Sequence, residues 1–449
     1  MLNLEHGREA SWIAFGRVFA GLILLYEVFL GGWWKLGVPS TGMNPEWIGS
    51  EAGIAITEAA QGAIVDGTYG WYAWLLELVV LPHTTIWSYV ATATQLAVAI
   101  ALIFGIWTRP VALVGLLYFL PVFHFGTIRT SPLFAVPIAF AFVANAGYYY
   151  GVDGWFARNG REGLYHRIAS FQPIPKKMFP ILAAGCAVVA MAYLLSIPQQ
   201  TDRIALVGLE LAVFFGILGA GLVGAYHGAN PIGIAADGLR VFIGYRFLHE
   251  IVVRTEPGVN GLPGWASGAD LEPLFADLAA SHVAPFAAII NGLMIPGIGA
   301  WALVFAVVQT FVGVALLVGF RTRLFGAIGA VYLSFLILLG FTRLAPLFLG
   351  TLVVATALGG RYGSLGALGK TTTPPSLPNA TPAIAGTFAL VGLIIALLSG
   401  VEPGGYSDAV GGTVGAMVFL YATLFAAVGF LAKRFPTEAG RPTASPVDD

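Results

Sequence analysis

The sequence predicts an all-α, polytopic helical membrane protein of about twelve transmembrane helices, laid out as two parallel sets of six. Three observations carry that prediction. Hydrophobic residues make up 57% of the chain and charged residues only 10%, with a mean hydropathy of +0.82; soluble domains carry about 25% charged residues. The apolar residues fall into successive runs approaching the roughly 20 residues that a bilayer crossing needs. Finally, the stretch 296–348 repeats one found 214 positions earlier, without a gap. Pro82, Trp87, Gln95, Gly105, Thr108, Arg109, Gly115, Tyr118, Gly126, Arg129 and Pro132 fall on Pro296, Trp301, Gln309, Gly319, Thr322, Arg323, Gly329, Tyr332, Gly340, Arg343 and Pro346.

The first apolar run, 11–34, holds Arg17 and Glu27 and ends in Trp33-Trp34-Lys35, an interfacial anchor. It predicts a retained helix and not a cleaved signal segment. Runs 85–107 and 110–125 hinge at Arg109, and 131–147 follows; 300–320 and 324–340 hinge at Arg321-Thr322-Arg323, and 344–358 follows. Between these sets lie 178–197, 204–226 and 238–254, and the chain closes with 382–400 and 411–432. Two further apolar segments, 71–81 and 286–295, are too short to span and predict interfacial or re-entrant helices. Residues 363–379 predict a cytoplasmic linker, and 436–449 a disordered tail.

Loop charges set the orientation. Arg158, Arg161, Arg167, Lys176 and Lys177, together with the turns near Arg109, Arg321 and Arg323, Arg361 and Lys370, and Lys433 and Arg434, all share one side. The long loops 36–71 and 255–285 fall opposite and carry Glu46, Glu51, Glu58, Asp66, Glu256, Asp270, Glu272 and Asp277. Basic loops face the cytoplasm, so both termini are expected there, in a multi-pass protein of the cell membrane. A net charge of −1 and the lack of a basic cluster exclude a nucleic-acid partner. Cys186 is alone, so there is neither an internal disulfide nor a CxxC motif.

The repeat extends beyond 296–348. Arg17-Val18-Phe19 and Glu27 match Arg240-Val241-Phe242 and Glu250 at an offset of 223, and Leu194-Leu195-Ser196 echoes Leu397-Leu398-Ser399. The expected units are therefore 1–230 and 231–435. An even number of helices per unit gives both the same orientation, related by an axis along the membrane normal.

An arginine early in the first helix, a long outer loop with a short helix, and an L-x-x-G-x-x-T-R turn resemble the DoxX/DoxD membrane family. The turn reads Leu102-Ile103-Phe104-Gly105-Ile106-Trp107-Thr108-Arg109 in one half and Leu316-Leu317-Val318-Gly319-Phe320-Arg321-Thr322-Arg323 in the other. The resemblance covers two four-helix units, roughly 11–150 and 237–362, and leaves a helix pair in each half outside it. It implies an integral component of a thiosulfate:quinone oxidoreductase or a related membrane redox complex, with quinone as electron acceptor and a small redox partner subunit. A non-enzymatic transporter or membrane scaffold is the alternative.

Ionisable residues inside apolar runs carry the chemistry, since each costs roughly 2.5–3.5 kcal/mol at a helix centre on insertion scales. Arg246, Glu250 and Arg254 lie on one helical stripe, with His249 beside it; the first half keeps only Glu27. These charges either neutralise one another and lock helices together, or set Glu250 and His249 as proton acceptors beside anion-attracting arginines. In the second reading Arg246, Arg254, Arg343 and Arg129 would bind a small sulfur oxyanion. Gln95 and Gln309 are either interhelical hydrogen-bonding residues or contacts to a quinone carbonyl. Arg109, Arg321 and Arg323 mark the cytoplasmic boundary, while Trp33, Trp34, Trp71, Trp74 and Trp87 suit an interfacial belt. No histidine pairing, GxGxxG or P-loop supports a metal, haem or nucleotide site.

Overall fold

The computed structural model describes residues 2–29, 35–36, 43–125, 131–159, 163–171, 174–200, 202–255, 268–269, 271–341, 344–360, 377, 381–398 and 410–436. Among these there is no strand. Twelve helices of at least 13 residues form the bundle: α1 (Leu2–Phe29), α2 (Thr84–Phe104), α3 (Thr108–Phe123), α4 (Ser131–Val143), α5 (Phe179–Ser196), α6 (Asp202–Tyr226), α7 (Pro231–Thr255), α8 (Ile298–Val318), α9 (Thr322–Leu338), α10 (Ala345–Leu358), α11 (Thr381–Leu398) and α12 (Val410–Arg434). Each lies on one of the predicted apolar runs. Among the described residues, six stretches of helix are long and apolar enough to cross a membrane: Arg8–Phe29, Gly70–Phe104, Lys176–Gln199, Ile204–Tyr226, Ile298–Val318 and Val414–Arg434.

Two helices occupy the middle. α1 packs on α2, α4, α10 and α12; α7 packs on α8, α10, α4 and α6. The two neighbour sets interchange when the halves are exchanged. Central placement explains why α7 carries Asp237, Arg240, Arg246, Glu250 and Arg254 in a chain so poor in charge: a helix surrounded by protein can hold ion pairs that a lipid-facing helix cannot. By contrast α5 presents Ile181, Val188, Met191 and Leu195 outward.

Local geometry recurs at the sequence offset of 214. Wide π-helical turns occupy Leu76–Val80 and Ile290–Met294. The Trp87 indole donates to the Val79 carbonyl and the Trp301 indole to that of Leu293. Gly105 and Gly319 end α2 and α8 in the left-handed conformation, and Trp107 and Arg321 repeat it two residues on. A glycine is required where α1 crosses α2 and where α7 crosses α8. A Cβ on Gly21 would lie 2.7 Å from the Ala99 carbonyl oxygen, and one on Gly244 2.8 Å from the Leu317 nitrogen.

Two sequence expectations need adjusting. Segment 71–81 is not a detached interfacial helix: helix Gly70–Leu75 runs through the π turn and a 3-10 turn at Leu81–His83 into α2, giving a 35-residue helical stretch. Pro82 removes one i→i−4 bond, and the wide turn absorbs the misfit. Its outer face still bears the exposed Trp71, Trp74 and Leu78. The related segment Ala284–Met294 is interrupted from α8 by a turn at 295–297, around Pro296. Second, α7 begins at Pro231, seven residues before the apolar run. The Asn230 side chain accepts from the Ile232 amide at 2.9 Å and Pro231 takes the first helical position.

Arg17 and Arg240 are buried at the end of the bundle that carries the basic turns. The Arg17 guanidinium donates to the carbonyls of Leu102, Ile103 (2.8 Å) and Tyr150 (3.1 Å). Arg240 donates to Leu316 and Leu317 (3.0 Å), and to Asp237 at 2.7 Å. Each arginine thus satisfies the unpaired final carbonyls of the following long helix and meets the negative end of its dipole. On the facing side, Asp153 accepts from the amides of Trp107 (2.8 Å) and Thr108 (2.9 Å), where α3 begins, and from the Tyr165 hydroxyl at 2.7 Å. Burial pushes the Asp153 carboxyl above its usual range, and these hydrogen bonds offset only part of that push.

Candidate functional site

The site forms where α6 meets α7. On α7, residues three and four apart share a face, which sets Arg246, His249 and Glu250 together. Arg246 is fully buried, His249 2% exposed and Glu250 9% exposed. Its η2 nitrogen donates to Glu250 Oε1 at 3.1 Å. The other η nitrogen donates to Glu210 of α6, and His249 Nε2 lies 3.8 Å from the same Glu210 Oε1. Arg246 is therefore clasped by two carboxylates, one on its own helix and one across the contact between halves. The Phe348 ring of α10 covers the guanidinium at 5.6 Å.

Glu210 is 1% exposed. Its Oε1 receives Arg246. The Tyr245 hydroxyl lies within hydrogen-bonding reach of the same carboxylate. The Tyr245 ring lies 5.5 Å from the His249 ring and 6.4 Å from that of Phe242, and the residue is only partly buried.

The matching contact, α12 on α1, keeps Glu27 but lacks the buried arginine. Ile23 stands at the position of Arg246, and Phe15 and Phe19 meet Phe425 and Tyr421. The arginine with its two carboxylates belongs to one of these two contacts. Packing alone is met by aromatic rings at the other.

The remaining candidates separate. Gln309 is buried, and its amide donates to the Tyr332 hydroxyl at 2.8 Å between α8 and α9, the interhelical role that composition alone allows. Gln95 is buried on α2. Arg254 lies on α7 two turns beyond Arg246, with a side chain outside the described set; Arg129 and Arg343, like Trp33 and Trp34, lie outside the described residues. Exposed Arg321 and Arg323 sit at the basic turn. No group of three His, Cys, Asp or Glu side chains suited to a metal occurs among the described residues.

Glu210 is the member of the cluster that sequence spacing misses. It is a carboxylate inside an apolar run, the same signal that singled out Glu250, but no charged neighbour on its own helix marks it. Comparison with family models, curated proteins and solved structures gives no match for this chain.

Proposed function

We propose that the chain is an integral membrane protein of two parallel six-helix repeats, 1–230 and 231–435, with both termini cytoplasmic, each repeat a DoxX-like four-helix unit plus a helix pair. Its proposed role is the membrane component of a DoxD-like thiosulfate:quinone oxidoreductase or related quinone-linked complex. The observation that carries the reading is the Glu210–Arg246–Glu250 cluster with His249. A buried ion pair contributes little net stability against apolar residues of similar volume, and intramembrane ionisable groups serve proton or ion handling by default. Two carboxylates and an imidazole around one guanidinium can take up and release protons, as a two-electron quinone reaction demands. Arg246 acts in this arrangement as the fixed counter-charge, so anion recognition falls to Arg254, Arg343 and Arg129 at the acidic-loop side. The matching helix ends and turns at an offset of 214 support the duplication. The quinone and thiosulfate chemistry rests on the family resemblance, and the chain works with a small redox subunit on that account.

A second reading, a proton-coupled transporter, is favoured by one observation: the cluster joins helices of different halves, where parallel-repeat transporters place their sites. Purified protein assayed for thiosulfate-dependent quinone reduction, and proteoliposomes assayed for proton-driven anion uptake, separate the two. The redox reading predicts turnover that falls at least tenfold in Glu210→Gln. Uptake without quinone reduction overturns it in favour of transport.

A further inference from the structure

The short helix ahead of each π turn starts alike in both halves. Tyr69 and Val283 precede helices Gly70–Leu75 and Ala284–Ile289 in matching extended conformations, and each carbonyl accepts the amide three residues on. The residue just before each of them holds the end of a long helix. Thr68 donates its hydroxyl to the His124 carbonyl at 3.1 Å, next to the end of α3. His282 Nε2 lies 2.8 Å from the Leu338 carbonyl at the end of α9. The offset of 214 relates the two pairs residue by residue. Only the chemistry differs: a threonine hydroxyl does not titrate near neutral pH, and an imidazole does.

Both ring nitrogens of His282 are engaged, which fixes the tautomer. The Val283 amide donates to Nδ1 at 2.8 Å, so Nδ1 carries no proton, and Nε2 carries the one donated to Leu338. The clasp therefore exists in the neutral ring alone. A second proton must go to Nδ1, which then no longer accepts, and the amide of buried Val283 loses its partner where the helix begins. The ring also stacks on Phe286 at 4.8 Å. Of the elements around it, helix Glu272–Ser281 carries Glu272 and Asp277, and segment Ala284–Met294 has no ionisable residue. Tyr332 of α9 is held by Gln309. Arg323 on α9, like Lys433 and Arg434 on α12, is at the opposite end of its helix, and Arg343 lies outside the described residues. We infer that His282 is an acid-sensitive latch, holding segment 272–294 against the end of α9 when neutral and releasing it when protonated. Burial pushes this imidazole, in the loop between α7 and α8, below its usual range, and the Leu338 bond offsets only part of that push. The stability it contributes is thus fully present above the ordinary histidine value of about 6.5 and is lost as pH falls through the lower folded value. The first half, held by Thr68, stays closed in acid. The latch is independent of the quinone-linked reading.

The test is hydrogen–deuterium exchange of the full chain in lipid nanodiscs at about pH 7.5 and about pH 5, on either side of the histidine range. Rates are corrected for the intrinsic pH dependence of exchange. In wild type, peptides covering 272–294 should exchange at least about fivefold faster in acid, the equivalent of one lost hydrogen bond, while those covering 68–80 should not change. His282→Thr transplants the first half's hydroxyl clasp, so 272–294 should then exchange at one rate in both conditions, near the neutral wild-type rate. His282→Ala should exchange fast in both. Equal protection of 272–294 in the two conditions in wild type overturns the inference. An undiminished acid response in His282→Thr also overturns it, by assigning the titration to another group such as Asp277. Slow exchange of neutral His282→Ala overturns it as well, by showing that the imidazole holds nothing.

Discussion

Arg246 is the side chain whose removal the structure answers most sharply. Arg246→Gln leaves Glu210 and Glu250 buried and facing each other without their shared cation. Breaking a buried pair by removing one partner costs about 3–5 kcal/mol, a large share of the roughly 5–15 kcal/mol that keeps a domain folded. Part of that loss is the penalty of the stranded carboxylates, so Glu210→Gln in the same chain should recover some of it. The expected coupling in the Arg246→Gln, Glu210→Gln cycle is about 2 kcal/mol, inside the range for residues in one ion-pair network. Reversible unfolding in mixed micelles measures all four corners. Additivity within about 0.5 kcal/mol, the behaviour of independent sites, would refute the clasped-arginine geometry.

Other perturbations follow the same logic. Arg240→Gln should destabilise more than Arg17→Gln, because it also breaks a direct ion pair to Asp237, a carboxylate only 7% exposed that then keeps the Gly360 amide but loses its arginine; thermal unfolding of the two variants gives the ranking. Gly244→Leu places a side chain where 2.8 Å separates a Cβ from the α8 backbone, so α7 and α8 must part, with a loss of at least about 1–3 kcal/mol from overpacking; a transition at the wild-type temperature contradicts that crossing. The Asp153 carboxyl sits above its usual range, so the folded chain keeps this proton to higher pH than the unfolded one. The stability it contributes is therefore fully present below about pH 4 and is lost as pH rises through the folded value. Acidifying toward that value should stabilise wild type relative to Asp153→Asn, and an identical pH dependence of the two would contradict the burial.

Much of this architecture is readable in one dimension because long apolar runs mark where the helices lie, and because recurring Gly and Trp positions mark matching local geometry. Gly105 and Gly319 announce the turns that end their helices. The cluster is legible only in half. Arg246, His249 and Glu250 share a helix, so the 3.6-residue period brings them together on paper. Glu210 lies 36 positions away on another helix, and which faces of α6 and α7 meet depends on packing across the whole bundle. The roles of Arg17 and Arg240 are hidden for a similar reason: their partners are backbone carbonyls, which every residue possesses. The continuity of 71–81 with α2 is likewise not visible, since Pro82 suggests a stop where a π turn lets the helix pass.

The most direct test of the central claim is the pH profile of thiosulfate-dependent quinone reduction by the full complex, in wild type and in Glu210→Gln. If the buried carboxylate handles the protons, the variant loses at least tenfold in rate and the limb of the profile due to that group disappears. A variant with unchanged rate and an unaltered profile would contradict the account, and would leave the Glu210–Arg246 pair as a bolt between the two halves.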